Sequence, residues 1–346
     1  MGYQEDILCV ASQRLPWEKL DGGNILITGA TGLIGSCLVE VLMGHPKKTY
    51  NVYVSGRNLN RARGLFEKYK KDQTFHFIQY DVTHPLECDI SFHYIIHAAS
   101  NASPNFFASK PVEVMKANIN GVINLMEYGL THELRRFLFV SSGEVYGEGD
   151  GRIFTEDYSG YVDCTSPRSC YPTSKRAAES LCMSYAQEYG VEVVIARPSH
   201  TYGPHFTESD NRVYAQFIRN VQRDEDIVMK SSGEQFRSWC YVVDCVSGIL
   251  YVLLKGRNGQ AYNIADENSN ITIKALAEMI AKMGNRKVVI EIPSEMEKSG
   301  YNMVKKSVFN IDKLMGLGWN PLRYNMCENM EHTIKEYERY NLKALL

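Results

Sequence analysis

The fold class that the sequence predicts is α/β, a Rossmann-type doubly wound parallel sheet with a smaller, discontinuous C-terminal lobe. The apolar run Asn24–Thr28 is followed by a glycine-rich turn and a helical pattern, the strand–turn–helix order of a dinucleotide-binding unit. Strand-length apolar runs then alternate with helix-length runs up to residue 197, which favours a parallel sheet covered by helices on both faces. After Pro198 the pattern loosens into loops rich in Gly, Pro and His, so a second lobe is expected there.

Composition and charge describe an ordinary soluble globular protein. The 346 residues are 44% hydrophobic and 23% charged, and the chain is long enough for two cores or for one large core with an appended lobe. A net charge of −2 predicts neither nucleic acid nor an anionic membrane as a partner. The nine cysteines form no CxxC pair, and we find no signal peptide and no run of about 18 apolar residues. We therefore expect reduced thiols and a cytoplasmic location. No metal site is expected, because His200 and His205 are isolated from other candidate ligands.

The first elements carry the candidate dinucleotide site. Residues 1–20 mix apolar and polar side chains in the manner of a short amphipathic helix packed on the body of the protein. The glycines that follow strand one allow a tight turn and let a pyrophosphate approach the N-terminus of the next helix, where free N–H groups and the dipole favour anions. The residues expected to bind the dinucleotide here are Gly29, Thr31, Gly32, Leu33, Ile34 and Gly35.

Later elements extend the alternation. Further strands are predicted at Asn51–Ser55, Phe75–Tyr80, Tyr94–Ala99, Arg136–Ser142 and Glu192–Arg197. Helices are predicted at Val112–Leu130, at Ser169–Tyr189 and near Val213–Gln222, and Val242–Leu254 is expected to return to the first domain. The predicted domains are a dinucleotide-binding domain, residues 1–198 plus about 238–258, and a substrate lobe, residues about 199–237 plus 259–346.

The end of strand two bears on the choice between NAD and NADP. A fold specific for NAD usually has Asp or Glu there to bind the ribose 2′-hydroxyl. This chain has Ser55-Gly56-Arg57-Asn58 instead. Arg57 can hold a 2′-phosphate by a bidentate contact, or it can be a solvated loop residue. We expect the cofactor to be NADP or NAD, with NADP slightly favoured.

A Tyr and a Lys four residues apart, Tyr171 and Lys175, are predicted to share one face of a helix. An ammonium group stabilises a phenolate, so we expect the pKa of Tyr171 to fall from about 10 toward the working pH. Tyr171 is then a candidate general base for an alcohol, or general acid for a ketone, beside a nicotinamide. The alternative for the pair alone is a surface Tyr along a Lys stem. Upstream, Ser142 and Glu144 would face the same side of an extended segment.

With these pieces in place, the chain resembles the extended short-chain dehydrogenase/reductases that modify nucleotide sugars, over essentially its whole length. The matching pieces, in order, are Thr28-Gly-Ala-Thr-Gly-Leu-Ile-Gly35, Asp81-Val82, His97-Ala-Ala-Ser100, Asn118, Ser141-Ser142, Tyr171 with Lys175, and Ala196-Arg-Pro198. The resemblance implies a catalytic triad of Ser142, Tyr171 and Lys175, with Lys175 also holding the nicotinamide ribose. It also implies a homodimer built on the two long helices. Further implied cofactor contacts are at Asp81, Val82, Ala98, Ala99, Ser100, Asn118, Arg197 and Pro198.

Within this family the chain is most similar to UDP-glucuronate decarboxylases, also called UDP-xylose synthases. The similarity lies in the stretches Ala99–Pro104, Ser142–Gly147, Ser166–Glu179, Thr201–Pro204 with Asp210–Val213, and Gly233–Asp244. It implies that Glu144 is the family's catalytic Glu and that Arg237 lies near the anionic groups of a nucleotide-sugar substrate. Implied substrate contacts are Ser103, Ser142, Gly143, Glu144, His200, Arg212 and Arg237.

Three positions depart from the decarboxylase pattern. Gly143 replaces the Ser of the decarboxylases, or the Asp of the Asp-Glu pair of dTDP-glucose 4,6-dehydratases. His200 stands where an Asn commonly contacts the substrate, and no acidic residue follows strand two.

The predicted reaction begins with hydride transfer at C4 of a nucleotide-linked sugar, and decarboxylation of an NDP-hexuronic acid ranks first. NADPH-dependent reduction of an NDP-4-ketosugar ranks second, because the Ser-Ser-Gly sequence and Arg57 also fit such reductases. Two other outcomes share the first step. The missing acid at position 143 counts against 4,6-dehydration, and Glu144 counts mildly against 4-epimerisation, unless Glu144 is only a buried hydrogen-bonded carboxylate. A non-catalytic dinucleotide sensor is the alternative from another class, but a sensor needs no proton-transfer pair.

Overall fold

The computed structural model describes residues 2–207, 210–291, 304–322 and 325–345, with side chains described up to residue 340. The strands are β1 (Asn24–Thr28), β2 (Asn51–Gly56), β3 (Phe75–Gln79), β4 (Tyr94–His97), β5 (Arg136–Val140), β6 (Val193–Pro198), β7 (His200–Tyr202), β8 (Ile227–Met229), β9 (Phe236–Tyr241), β10 (Gln260–Ile264), β11 (Asp266–Thr272), β12 (Val288–Ile290) and β13 (Lys306–Ser307). The helices are α1 (Tyr3–Ala11), α2 (Leu33–Gly44), α3 (Leu59–Phe66), α4 (Pro104–Ser109), α5 (Pro111–Thr131), α6 (Cys170–Tyr189), α7 (Val213–Gln222), α8 (Val242–Lys255), α9 (Ile273–Met283), α10 (Asp312–Met315) and α11 (Met326–Leu345).

The central sheet has seven parallel strands in the order β10-β6-β5-β4-β1-β2-β3. Its two faces are both covered, so its strands are apolar on both sides. In β1, Ile25 and Ile27 pack in the core on one face with α2 and α8, while Leu26 packs in a second core on the other face with α5 and α6. The predicted doubly wound α/β fold is confirmed.

Three strands end earlier than the sequence predicts, and the ends of two of them, β4 and β5, matter for the site. Strand β4 ends at His97 rather than Ala99, and β5 ends at Val140 rather than Ser142. The chain leaves the sheet at these points, and the loops that follow lie at the edge where the parallel strands end. Residues 98–100 and 141–142 therefore lie in loops at the carboxyl edge of the sheet.

The smaller lobe is formed by short sheets and helices. Strands β11, β9 and β13 are joined by β7 in a four-stranded sheet, and β12 pairs with β8. Two sheet memberships amend the predicted domain boundaries. Strand β10 pairs with β6 in the central sheet, although residues 259–346 were assigned to the substrate lobe. Residues 238–241, assigned to the first domain, belong to β9 of the smaller sheet.

The N-terminal segment forms the predicted helix against the body of the protein. Helix α1 contacts α2 and α8 and buries Ile7 and Val10, and the Lys19 ammonium donates a 2.6 Å hydrogen bond to the Leu254 carbonyl. Across the described residues, none of the helices combines the length and the apolar character needed to cross a bilayer.

Candidate active site

The glycine turn between β1 and α2 is tight because it approaches two other backbone segments. Gly29 has φ 67°, and a Cβ there would lie 2.6 Å from the Ala99 Cα. A Cβ on Gly35 would lie 2.3 Å from the Gly29 carbonyl oxygen. Only glycine fits both positions. Helix α2 begins at Leu33, with Gly32 as its N-cap, so its free N–H groups are placed to hold a diphosphate.

A chain of side-chain hydrogen bonds joins the loop after β4 to the helix that carries Tyr171. The Ser100 hydroxyl donates to the Asn118 side-chain oxygen at 2.8 Å, and the Asn118 amide donates to the Ser174 hydroxyl at 2.8 Å. Ser174 in turn donates to the Tyr171 carbonyl at 3.1 Å. Asn118 and Ser174 are fully buried, so their polar side-chain groups must be paired within the protein. Ser100 and Asn118 therefore connect the candidate cofactor loops with α6.

Arg57 follows β2 and is already engaged by groups from other elements. Its guanidinium lies 3.1 Å from a Glu113 carboxylate oxygen, 3.1 Å from the Asn101 side-chain oxygen and 3.9 Å from Asp81. The hydrogen bond from Arg57 lowers the pKa of Glu113. The Arg57 side chain is 53% exposed, so these contacts are exchangeable. The contact with Glu113 was not predicted, because Glu113 lies 56 residues from Arg57 and carries no local signal of it.

Tyr171 and Lys175 both lie inside the protein, on the first turns of α6. The Lys175 ammonium donates to the Val140 carbonyl at 2.9 Å and lies 4.6 Å from the centroid of the Phe139 ring. Burial lowers the pKa of Lys175 to about 7. Burial raises the pKa of Tyr171 to about 12, and a hydrogen bond with Ser142 acts in the opposite direction. The predicted fall of the Tyr171 pKa is therefore wrong, because desolvation outweighs the groups that act to lower it, which are Ser142, Arg212 and Arg168.

Ser142 and Glu144 lie on the short 3-10 turn Gly143–Tyr146 that follows β5. The Ser142 hydroxyl caps this turn by accepting the Glu144 N–H at 3.2 Å. This turn replaces the extended segment that the sequence suggested. The Glu144 carboxylate faces Arg168, whose two terminal nitrogens lie 3.1 and 3.0 Å from its two oxygens. Arg168 is not among the predicted site residues, although it lies three residues before Tyr171 in the stretch Ser166–Glu179.

Gly143 is matched to the aromatic ring of Phe309. A Cβ at position 143 would lie 2.3 Å from the Phe309 Cζ atom. The Phe309 ring is buried beside Tyr146 and Phe154, with ring centroids 5.6 and 5.8 Å away. The Phe309 N–H also donates to the Ser238 hydroxyl at 3.2 Å, so its backbone is fixed. The missing side chain at position 143 thus has a steric reason that the sequence did not reveal.

Arg237 is a buried cation without an acidic partner among the described residues. It is 3% exposed, and its guanidinium donates to the Phe236 carbonyl at 3.1 Å and to the Val304 carbonyl. Burial lowers the pKa of Arg237 to about 10, while the charge of Glu144 acts to raise it. An unpaired guanidinium in the interior is costly, so this position favours an anionic ligand group.

His200 and Arg212 lie on the same side of the site as Arg237. Burial, followed by the charges of Arg237 and Arg212, lowers the pKa of His200 to about 3, so the imidazole is neutral. The His200 ring lies 5.4 Å from that of Trp239. Arg212 is held by the Asp210 carboxylate at 3.0 and 2.5 Å and is therefore less available to a ligand than Arg237.

The remaining predicted site residues differ in how far their side chains are already hydrogen-bonded within the protein. Ser103 donates to the Asn211 side-chain oxygen at 2.7 Å and joins the loop before α4 to the loop before α7. Asp81 accepts the Thr83 N–H at 3.0 Å in the turn after β3, which includes Val82. Arg197, next to Pro198 at the end of β6, pairs with Glu179 at 2.7 Å and bonds to Tyr146, so its side chain is committed inside the protein. The described residues contain no group of three or more His, Cys, Asp or Glu side chains that could hold a metal ion.

Comparison with known proteins gives one family. The model of the NAD dependent epimerase/dehydratase family matches residues 25–265. UDP-glucuronic acid decarboxylase 6 of Arabidopsis thaliana is 36% identical over 260 residues, which cover 75% of this chain and 74% of that protein. UDP-glucuronic acid decarboxylase 1 of Danio rerio is 31% identical over 325 residues, covering 93% of this chain and 74% of that protein.

Solved structures share the fold at lower identity. UDP-glucuronic acid 4-epimerase from Bacillus cereus, in complex with UDP-glucuronic acid and NAD, has a TM-score of 0.78 at 22% identity and covers 91% of this chain and 99% of its own. The dTDP-glucose 4,6-dehydratase DesIV from Streptomyces venezuelae, with NAD and TYD bound, has a TM-score of 0.79 at 22% identity, with 91% and 97% covered.

Proposed function

Because the chain belongs to the NAD dependent epimerase/dehydratase family, we propose that it is a decarboxylase of a nucleotide-linked hexuronic acid. It is a nucleotide-sugar enzyme of the NAD(P)-dependent short-chain dehydrogenase type, in line with the family and with the relatives above. The decarboxylase-named relatives reach 36% identity, which supports this reaction over the others that share hydride transfer at C4.

The observation that carries the proposal is the buried Arg237. A guanidinium that is 3% exposed and has no acidic partner among the described residues needs an anionic group in its vicinity. Glu144 is near enough to affect Arg237 electrostatically but forms its hydrogen-bonded ion pair with Arg168. The carboxylate of a hexuronic acid, or the diphosphate of the nucleotide, is the ligand chemistry that fits Arg237.

The residues present also fit a nicotinamide dinucleotide. The glycine turn has no space for a Cβ at Gly29 or Gly35, and the N-terminus of α2 offers free N–H groups for the diphosphate. The bound cofactor would supply the hydride acceptor and donor for C4. Gly29, Thr31, Gly32 and the start of α2 would hold the diphosphate, with Asp81 and Val82 at the adenine and Asn118 and Lys175 toward the nicotinamide half.

The catalytic side chains divide the proton transfers between them. Tyr171, in its ionised form and assisted by Ser142 and Lys175, takes the proton from the C4 hydroxyl and later returns one to that oxygen. The positive charge of a bound nicotinamide would favour this ionised form against burial, which raises the Tyr171 pKa. The C4 ketone then makes the bond between C5 and the carboxylate carbon labile. CO2 leaves, and the electron pair of the broken bond forms the enolate across C4 and C5. Glu144 transfers a proton to C5 after CO2 has left. Arg237, Arg212 and His200 contact the anionic and polar groups of the substrate.

The proposal is tested by measuring CO2 release and NADPH consumption in parallel. With a nucleotide hexuronic acid, we expect CO2 release without net consumption of cofactor, and strong loss of this release in Glu144→Gln. NADPH oxidation in proportion to a 4-ketosugar, without CO2 release and without an effect of Glu144→Gln, would instead establish the ketosugar reductase. The reductase is the second candidate because Arg57 follows β2 where NAD-specific folds usually have an acid.

The other outcomes have less support. A 4,6-dehydration needs a proton donor for the C6 hydroxyl, and the Phe309 ring occupies the space beside Gly143 in which such a side chain would lie. A 4-epimerisation needs no group at C5, which would leave Glu144 without a chemical task. If the protein were a dinucleotide sensor, Ser142, Tyr171 and Lys175 would have no chemical task.

For the cofactor we propose NADP(H), in preference to NAD(H), through Arg57. A 2′-phosphate would have to draw Arg57 away from Glu113, and the exposure of this ion pair makes that exchange inexpensive. Titration of both dinucleotides into cofactor-free protein decides the matter, with Arg57→Asp as the comparison. A clear NAD(H) preference of the unaltered chain would show that Arg57 serves to neutralise Glu113 and Asp81.

We also propose that the protein is a homodimer and that it works in a reducing, cytoplasmic compartment. Its substrate lobe is proposed to consist of residues 199–241 and 265–346. The cysteines support this compartment, because all nine are free thiols. Half-exposed Met115, Ile119 and Ile123 follow one another at helical spacing on α5 and support the dimer.

A further inference from the structure

Arg168 connects the two side chains to which proton transfers are assigned. On one side its guanidinium forms a two-pronged ion pair with Glu144, at 3.1 and 3.0 Å. On the other side it lies over the Phe107 ring, 4.8 Å from the ring centroid. The Phe107 ring is itself stacked on Tyr171, with centroids 4.7 Å apart and planes inclined by 23°. The order Glu144, Arg168, Phe107, Tyr171 is therefore a continuous line of contacts.

The geometry of this line restricts Glu144 more than a single charge contact would. A fork that binds both carboxylate oxygens fixes the plane of the carboxylate as well as its position. Stacking on Phe107 holds the guanidinium plane, because the cation is attracted to the ring face. The Arg168 and Glu144 side chains are 33% and 28% exposed, so solvent screens the pair less than at an open surface.

We propose that Arg168 is a positioning residue, which fixes the orientation of the Glu144 carboxylate and aims it toward the reacting sugar. The proposal rests on the proposed function, in which Glu144 handles the proton at C5. Arg168 acts on the reaction through Glu144. It also helps to hold the Tyr171 ring in place, through the Phe107 ring that is stacked on it.

The other charged and titratable groups around Glu144 do not replace this role. Arg237 of β9 affects Glu144 electrostatically without a hydrogen bond to it, and Tyr171 and Cys170 of α6 are uncharged at neutral pH. Arg168 is thus the group, among the described residues, that both pairs with Glu144 and fixes its orientation.

The test compares Arg168→Ala and Arg168→Lys with the control Arg152→Ala. Arg152 makes the same two kinds of contact outside the site, an ion pair with Asp150 at 2.6 Å and a ring contact with Tyr158 at 5.4 Å. We expect Arg168→Ala to lower kcat for CO2 release by roughly 10- to 100-fold, with little change in cofactor affinity. Arg168→Lys should recover only part of this rate, since an ammonium keeps the positive charge but lacks the fork that binds both carboxylate oxygens.

A second measurement needs no turnover and separates this proposal from the proposed function. The Glu144 carboxyl signal, identified by its loss in Glu144→Gln, is observed by NMR at one fixed pH. Its chemical shift should change in Arg168→Ala, which removes both hydrogen bonds to the carboxylate, and stay the same in Arg152→Ala. If the unaltered enzyme releases no CO2 but the signal moves in Arg168→Ala, the decarboxylase proposal fails and the pairing of Arg168 with Glu144 stands. An unchanged carboxyl signal in Arg168→Ala, with only a lower Tm, would overturn the positioning role.

Discussion

Gly143 and Phe309 limit each other, although they are far apart in the chain. The Phe309 ring fills the space that any side chain at position 143 would occupy. Its backbone is fixed from two sides, because Phe154 donates its N–H to the Val308 carbonyl at 2.7 Å and accepts the Asn310 N–H at 2.9 Å. The ring therefore has little freedom to withdraw, and the turn that carries Glu144 depends on glycine at this position.

This pair gives a first prediction. Gly143→Ala should lower the free energy of unfolding by about 1–3 kcal/mol, because the added methyl group overpacks the core. The same change in a Phe309→Ala background should cost less, since the ring is gone. Denaturant unfolding of the four proteins measures the coupling. An equal cost in both backgrounds would show that Phe309 is not what excludes the side chain.

Lys175 gives a second prediction, on the conflict between stability and activity at a single residue. Its pKa is lowered by burial to about 7 from 10.5, so the folded chain binds this proton less tightly than the unfolded chain does. Stability from this group therefore rises with pH between about 7 and 10.5 and is lowest below pH 7. Lys175→Met should abolish activity yet stabilise the cofactor-free protein by about 1–3 kcal/mol below pH 7.

The pH dependence of that gain is its control. The advantage of Lys175→Met should shrink as the pH approaches 10.5, where the lysine is neutral in both states. A gain that is constant over this range would mean that the methionine only packs better, and a loss of stability at every pH would contradict the prediction.

At the scale of elements, α8 shows how a buried helix carries a polar group. Residues Val242–Leu254 of α8 are all buried, and Asp244 in its first turn accepts the Leu322 N–H at 2.5 Å. Burial raises the pKa of Asp244 to about 8. The carboxyl group ties the helix to the C-terminal part of the chain, in its protonated form at neutral pH.

A third prediction follows for this helix. A raised folded-state pKa means that the folded chain binds the proton more tightly, so stability from Asp244 is greatest below about pH 3.8 and is lost as the pH rises to about 8. Asp244→Asn keeps an acceptor for Leu322 and cannot ionise. Its free energy of unfolding should exceed that of the unaltered protein by about 1–2 kcal/mol above pH 8 and match it near pH 4. Urea unfolding across this range measures the difference, and a parallel pH dependence of the two proteins would contradict it.

At the scale of the whole molecule, α5 and α6 contact each other and leave an apolar stripe uncovered in the single chain. Met115, Ile119 and Ile123 on α5 and Ala177 and Leu181 on α6 are half-exposed at helical spacing. Two such stripes from a pair of subunits would form a four-helix interface, in which each stripe buries its apolar surface.

The fourth prediction is that this stripe holds the homodimer together. Ile119→Asp should convert the dimer into monomers, because a carboxylate in an apolar interface has no partner. Sedimentation velocity at several protein concentrations measures the change. Val289→Asp, at an exposed valine of β12, is the matched control and should leave the mass unchanged. A monomeric unaltered chain, or an Ile119→Asp protein that stays dimeric, would exclude this interface.

The sequence alone determined those features that local patterns encode. Runs of apolar residues and their spacing predicted the parallel sheet and the positions of α5, α6 and α7 within a residue or two. The spacing of Gly29, Gly32 and Gly35 predicted a tight turn, and a separation of four residues placed Tyr171 and Lys175 on one helix. These features depend on turn chemistry and periodicity, which act over a few neighbouring residues.

Only the tertiary structure decided the features that depend on how distant elements meet. The partner of Glu144 lies 24 residues away, that of Arg57 lies 56 residues away, and Phe309 reaches Gly143 from the other lobe. The membership of β10 in the central sheet likewise follows from pairing with β6 and not from its own pattern. The rise of the Tyr171 pKa has the same origin, because desolvation is a property of the assembled core and not of a helix that carries a Tyr and a Lys.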